Sequence, residues 1–499
     1  MERLVAAPLF FAARGFPEGP ISRDLGVFME KHVVVMGGGP AGLAAGYEAI
    51  NRGYRCTVLE KDDIVGGIAR TVNFKGYRFD IGGHRFFTKN REVDAFWHKV
   101  LPEDFLSVNR LSRIYYRNRF FYYPLRPMNA FLGLGPLDSL LIFLSYIKIR
   151  LFPLEEEKSF EQWVTNRFGR KLYETFFRTY TEKVWGVPCS RIGAEWAAQR
   201  IKGLSLTTAV KNALFGGRKN KIKTLIPRFH YPREGPGMMY QALAEKIRAK
   251  GGTVDLNSEV VELHHENGNL ASVIVKNPKT GETRQVHGDF FLSSIPITQL
   301  AERLRPAPPD TVLDSCRRLR YRAILVVNLV LDRKNLFPDN WVYVHSPEVK
   351  LGRLQNYKNW SPYMIDNQDH TSLGLEYFCD QGDDLWTTDD EALIQLGGRE
   401  LERLGLANPE SVIDGFVVRM PYTYCVYQIG YQALLESVKT SLGQLKNLQP
   451  IGRAGMFKYN NMDHSILTGF LAVRNISGEK HDLWSVNVEQ EYHEEEGGA

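Results

Sequence analysis

HVVVMGGGPAGLAAGYEAINRGYRCTVLEKDDIVGGIARTVNFKGYRFDIGGHRFFTKN, residues His32–Asn90, reads as an apolar strand, a glycine-rich turn, an amphipathic helix, a second strand ending in an acid, and two further glycine pairs. A GxGxxG by itself is weak evidence; its context makes it specific. Gly37, Gly39 and Gly42 follow the strand Val33–Met36 and open a helix at Pro40 and Ala41. Glu60 closes the next strand, Cys56–Glu60, at the separation expected of a ribose-binding acid, with Lys61 beside it. The first glycine makes the tight turn, the second lets a pyrophosphate approach the backbone, and the third lets helix and strand pack closely. Unpaired N–H groups at the helix start would bind the phosphate, and Glu60 would accept hydrogen bonds from adenosine hydroxyls. The pattern predicts a doubly wound, Rossmann-type α/β unit.

At 499 residues the chain is too long for one ordinary core and implies two or three domains. Its 43% hydrophobic and 24% charged residues are those of a soluble globular protein. A net charge of +6 permits an anionic substrate, whereas no basic stripe interleaved with aromatics points to nucleic acid. The cysteines, Cys56, Cys189, Cys316, Cys379 and Cys425, are odd in number and free of any CxxC. Disulfides and a zinc or other metal site are therefore not expected, and a reducing cytoplasm fits. Residues 1–31 read as an N-terminal extension, since Leu4–Ala13 is too short and too poorly flanked for a signal peptide. The acidic end, 486–499, reads as solvated.

One apolar stretch bears on membranes. Phe131–Phe152 is broken by Pro136, Asp138, Lys148 and Arg150, and its uninterrupted part, Ser139–Ile147, is too short to span a bilayer. A buried helix of a substrate domain is the first expectation, and a helix lying on a membrane surface, giving peripheral contact, is the alternative.

Further on, helical patterns cover Ser159–Arg167, Lys171–Val184 and Ala194–Lys202, and a segment Pro236–Lys250 leads to strands at Thr253–Leu256 and Val260–Val261. Phe290–Leu292, Ala323–Leu331, Trp341–His345, Ser372–Phe378 and Ser411–Arg419 read as strands.

The glycine pair Gly66-Gly67, then Arg70-Thr71 and FDIGGHRFF (Phe79–Phe87), resembles the FAD family of amine oxidases, protoporphyrinogen oxidases and UDP-galactopyranose mutases. The resemblance implies FAD, with Gly66, Gly67 and Gly83 bringing main chain against the cofactor. His84 would lie beside the isoalloxazine and Val260 against the adenine.

Two longer stretches narrow it. RKLYETFFRTYTEKVWG (Arg170–Gly186) looks like the mutase helix with a YTxKxWG signature, and IGRAGMFKYNNMDHSILTGFLAVRNI (Ile451–Ile476) looks like that family's closing segment. The likeness covers about residues 32–480. It implies that reduced FAD acts as a nucleophile on a sugar nucleotide, interconverting pyranose and furanose rings without net redox change. It also implies site residues. Arg353, Tyr424 and Tyr459 would hold a diphosphate and Tyr180 and Trp185 the uracil. Arg453 and His84 would sit at the flavin, and Met462, Asp463 and Ser465 would open the last helix against it.

The implied fold is a three-part flavoprotein. The FAD domain is assembled from 32–98, 226–300 and 446–485, with a helical insert over 99–225 and an antiparallel sheet over 301–445. NAD(P)H from solution is the expected reductant, since no second dinucleotide motif is visible. No residue pattern decides between a monomer and a homo-oligomer.

Three departures stand against UDP-galactose itself, one being that the family's YPV reads Tyr424-Cys425-Val426. Leu204, in RIKGLSL, stands where the mutases carry a loop arginine, and the basic insertion Gly216–Lys223 follows it. Asn461 replaces the family's aspartate. The competing expectation is an FAD-dependent oxidoreductase of amine oxidase, protoporphyrinogen oxidase or desaturase type, acting on an apolar or amine substrate.

Overall fold

A computed structural model describes residues 31–123, 125, 127–200 and 227–488. Leu204 and Gly216–Lys223 lie outside them, as do all but Lys31 of the N-terminal extension and all but the start of the acidic end.

His32–Met36 is buried along its whole length, which suits the centre of a parallel sheet covered on both faces. It pairs with Arg55–Leu59 on one side and Phe290–Ser293 on the other, and Thr253–Asp255 and Leu448–Pro450 complete five parallel strands. The chain leaves this Rossmann-type sheet and returns to it repeatedly. Helix Pro40–Asn51 packs on it through small residues; a Cβ on Gly46 would sit 2.8 Å from a Val58 methyl. Helix Met462–Ile476 crosses the same helix so closely that a Cβ on Gly469 would meet the Ala41 carbonyl at 2.4 Å. The first turn of Pro40–Asn51 is thereby locked against the middle of Met462–Ile476.

A seven-stranded sheet forms the second layer, ordered Val412–Cys425, Tyr321–Leu331, Thr371–Cys379, Arg353–Asn356, Trp341–Val344, Ser112–Tyr116, Arg119–Tyr122. It is antiparallel except where Trp341–Val344 runs parallel to Ser112–Tyr116. Its last two strands correct the reading of 99–225 as helical. SRIYYRNRFFYY alternates about a two-residue turn, Arg117-Asn118, with φ of 49° and 57°, the left-handed pair that a tight hairpin turn requires. The aromatic run hid that alternation.

Helices Phe160–Phe168 and Arg170–Trp185 pack under this sheet. The second contains a wide π turn at Tyr173–Arg178, a form that recurs at functional sites. It ends at Gly186, whose φ is 62° and where a Cβ would strike the Arg322 guanidinium at 2.5 Å. That explains the glycine of the WG pair. The buried-helix expectation for Phe131–Phe152 fails. Helix Pro136–Leu151 buries Ile149 but exposes Leu137, Leu140 and Leu144 at 71%, 53% and 52%. No helix among the described residues is long and apolar enough to cross a membrane.

Candidate active site

A cavity of about 680 Å³ runs from the glycine turn to the face of the large sheet. Fourteen of the sixteen residues expected around a cofactor line it: Gly37, Gly39, Pro40, Ala41, Glu60, Lys61, Gly67, Gly83, His84, Val260, Arg453, Met462, Asp463 and Ser465. Gly42 and Gly66 do not line it, though each adjoins a residue that does. The Gly38 N–H donates to Glu60 Oε2 at 2.6 Å and Asp62 N–H to Oε1 at 3.0 Å, fixing the acid at the strand end. Burial raises its pKa above the ordinary carboxylate value, against those two donors.

The turn carrying His84 hangs from Asp80. Thr71 and Tyr231 hydroxyls donate to the Asp80 carboxylate at 2.8 and 2.5 Å, and Tyr357 donates to its carbonyl at 2.5 Å. Burial nevertheless pushes the Asp80 carboxyl up to about 7. A carboxyl whose folded pKa lies above its unfolded value stabilises the fold fully below the unfolded value, near 4, and loses that contribution as pH rises through about 7. Asp80→Asn is expected to abolish a fall on the order of 4 kcal/mol across this window. Denaturant melts at intervals from pH 4 to 8 check it; parallel curves for the two proteins would contradict it.

His84 itself is held neutral, its pKa lowered to about 4 by burial and by the Arg453 charge. Its Nδ1 is buried in the cavity wall without a hydrogen-bond partner. His345 Nδ1, Gln355 Oε1 and Trp196 Nε1 share that condition in residues lining the same cavity. Buried polar atoms are rarely left without a partner, and these four belong to side chains that line the cavity.

The expected substrate residues meet in one aromatic and cationic cluster. Tyr424 stacks on Tyr459 at 5.8 Å between ring centres, and Trp185 lies 6.1 and 6.2 Å from the two. The Arg453 guanidinium sits 3.9 Å over the Tyr459 ring and donates to the Thr423 and Asn460 carbonyls at 2.9 and 3.1 Å. Among the described residues no carboxylate pairs with it. Tyr180 stacks on His345, with ring centres 4.8 Å apart.

Arg353, expected to hold a diphosphate, is already paired with an acid. Its Nε donates to Glu376 Oε1 at 2.8 Å, a second nitrogen donates to Oε2, and the same nitrogen donates to the Tyr424 hydroxyl at 3.1 Å. Burial opposes the arginine's charge, and the Glu376 carboxylate more than offsets it, holding the guanidinium well above its usual range. Glu376 is fully buried and also accepts from Gln355 Nε2 at 2.7 Å. Sequence reasoning missed Glu376. The signal was there: an acid inside the apolar strand SLGLEYFC demands a partner.

Lys183, the lysine of YTEKVWG, was also missed. Its Nζ donates to the Ser346 and Leu351 carbonyls at 2.7 and 3.0 Å, tying down the loop between His345 and Arg353. Lys183→Met is expected to lower stability by about 1–3 kcal/mol by orphaning those carbonyls. Thermal melts check this; an unchanged midpoint would refute it.

The model of the flavin containing amine oxidoreductases matches residues 40–477. The chain belongs to that family. Membership implies a flavin, and the fit is physical. Gly67 and Gly39 bring bare backbone together, a Cβ on Gly67 meeting Gly39 Cα at 3.4 Å, and the starts of two helices line the same space as His84 Nδ1. Among solved structures, this flavin-family chain is similar to a reduced UDP-galactopyranose mutase, with a TM-score of 0.79 and 22% identity over 92% of this chain and 98% of that one. It also resembles a putative protoporphyrinogen oxidase from Exiguobacterium sp. 255-15, with a TM-score of 0.67 and 17% identity over 90% and 99%. At such identities the likeness is one of fold. By sequence it is 26% identical to a 4,4'-diapophytoene desaturase of Methylomonas sp over 52% of this chain and 54% of that protein. It is 42% identical to an L-amino acid oxidase of Crotalus durissus cumanensis over 14% of each. The chain thus spans about half the length of the first relative and far less of the second.

Proposed function

We propose that this flavoenzyme is a nucleotide-sugar mutase, interconverting pyranose and furanose forms of a UDP-galactose-like substrate with no net redox change. The observation that carries the reading is the convergence of Arg453, Tyr424, Tyr459, Trp185 and Arg353 on one wall of the cavity. Reduced FAD, when bound, supplies the nucleophile for the anomeric carbon. Arg453, balanced by carbonyls and aromatic faces rather than by an acid, would take up negative charge as a diphosphate leaves. The Tyr424 oxygen accepts from Arg353, so its own proton is available to a phosphate oxygen. Tyr180, stacked on His345, and Trp185 line the part of the cavity where a base would lie, and neutral His84 lines it too. NAD(P)H is the reductant on this reading. The five cysteines, all buried thiols, suit a cytoplasmic setting.

The second reading is an oxidoreductase acting on an apolar or amine substrate. It is favoured by the desaturase and oxidase relatives and by the aromatic cavity wall at Phe176, Phe177 and Phe160. An anaerobic assay of oxidised and dithionite-reduced protein with UDP- and dTDP-sugars separates the two. An isomer of identical mass, formed by reduced enzyme only, is the expected result. No isomer, with peroxide released from amines or porphyrinogens, would transfer the function to the oxidoreductase.

A further inference from the structure

Twelve of the seventeen exposed large apolar side chains among the described residues lie between Met128 and Leu154. Ten of them belong to a two-helix hairpin, Pro127–Leu134 and Pro136–Leu151, and Phe152 and Leu154 follow it directly. On the second helix Leu137, Leu140, Leu141, Leu144, Ile147 and Leu151 recur at three- and four-residue intervals, so they form one outward stripe. Exposed apolar surface so concentrated marks an interaction site.

The charges around the stripe select the occupant. Lys148 and Arg150 stand exposed at its C-terminal end, with no ion pair among the described residues. Arg119 donates to the Leu132 and Gly133 carbonyls at the hairpin's turn. The hairpin's one acid, Asp138, is already balanced by Arg117 at 2.8 Å and Lys171 at 3.3 Å. A second copy seated on the stripe would offer Lys148 and Arg150 only the hairpin's one acid, Asp138, which is already paired. Just beyond the hairpin, Glu156 and Glu157 are engaged by Lys158 and Arg167, and Glu155 is the remaining acid of that run. Anionic lipid headgroups answer them all, while acyl chains cover the leucines.

We propose that the hairpin Pro127–Phe152 seats this protein on an anionic bilayer surface, lying in the interface rather than crossing it. The 16-residue helix, about 24 Å long, is short of the ~30 Å hydrocarbon core. The inner side of the hairpin, through Leu134 and Ile142, packs into the same apolar cluster as the cavity-lining Leu125, Phe176 and Phe177. Docking therefore sets the membrane behind the cavity wall, whichever reaction the site performs.

The test is flotation of the full flavin-loaded chain with phosphatidylcholine vesicles, with and without about one-third phosphatidylglycerol. The wild type is expected to float with the anionic vesicles. Leu140→Glu/Leu144→Glu should lower the bound fraction roughly tenfold or more, and Lys148→Glu/Arg150→Glu should remove the preference for anionic lipid. Flavin content and melting temperature of both variants, altered only at exposed positions, should stay those of the wild type. Absence of flotation, or flotation indifferent to both variants, would overturn the proposal. So would a dimer in sedimentation velocity that Leu140→Glu/Leu144→Glu splits, since the stripe would then be covered by a second copy.

Discussion

Arg353→Met is expected to destabilise the protein by about 3–5 kcal/mol. The reason is the partner left behind. Glu376 is fully buried, and without the arginine its carboxylate keeps a single donor among the described residues, Gln355 Nε2. An unpaired buried acid takes up a proton, so the deficit should shrink at acid pH and grow as pH rises. The double variant Arg353→Met/Glu376→Met removes both charges and is expected to recover most of the loss, because apolar groups of similar volume replace a buried pair at little cost. Denaturant melts of the two singles and the double close the cycle. Additive losses in the double variant would show that the two side chains do not act as a pair. The same double variant isolates the proposed binding role, since it is read without unfolding. If Arg353 grips a diphosphate, UDP affinity should fall by roughly 2–5 kcal/mol. Unchanged affinity in calorimetric titration would remove Arg353 from the substrate site while leaving its structural role intact.

Gly42→Ala is expected to yield a protein that purifies without flavin. A Cβ there would lie 1.8 Å from the Gly37 carbonyl oxygen and 3.2 Å from a Val35 methyl. Neither neighbour can yield: Gly37 belongs to the turn, its N–H bonded to the Leu59 carbonyl at 2.8 Å, and Val35 sits in the central strand. Relief requires the helix start to move away from the turn, carrying Pro40 and Ala41 out of the cavity wall. Overpacking of this kind costs about 1–3 kcal/mol, and lost phosphate contacts add to it. Gly193→Ala is the control, its nearest contact being a carbonyl at 3.8 Å. Flavin absorbance per mole of purified protein decides the matter; wild-type loading in Gly42→Ala would contradict the packing argument.

Local chemistry made much of the site legible in advance. Gly37, Gly39, Gly42 and Glu60 act within one strand–helix–strand unit, where a turn's steric needs and an acid's position at a strand end are written in consecutive residues. The resemblance placed Tyr180, Trp185, Arg353, Tyr424, Arg453 and Tyr459 in one site, and the cavity brings them together. What each does there was less legible. Arg353 pairs with Glu376 because Arg353–Asn356 lies beside Thr371–Cys379 in a register that sets those two residues opposite each other. No spacing along the chain encodes that register.

The apolar stretch Phe131–Phe152 shows the same limit from another side. Its periodicity is that of a helix, and a helix forms. Periodicity records that a face is apolar and not whether anything covers it. The hairpin Ser112–Tyr122 was lost within aromatic residues that suit a strand and a packed helix alike. By itself the sequence determined the dinucleotide unit, its acid and the aromatic and cationic inventory of the site, because these follow from interactions between near neighbours. Only the tertiary structure decided that Arg353 is already balanced, that Lys183 ties a loop, and that the apolar hairpin faces outward. Those outcomes depend on which distant strands and helices come to lie side by side, and burial and charge compensation exist only once they have.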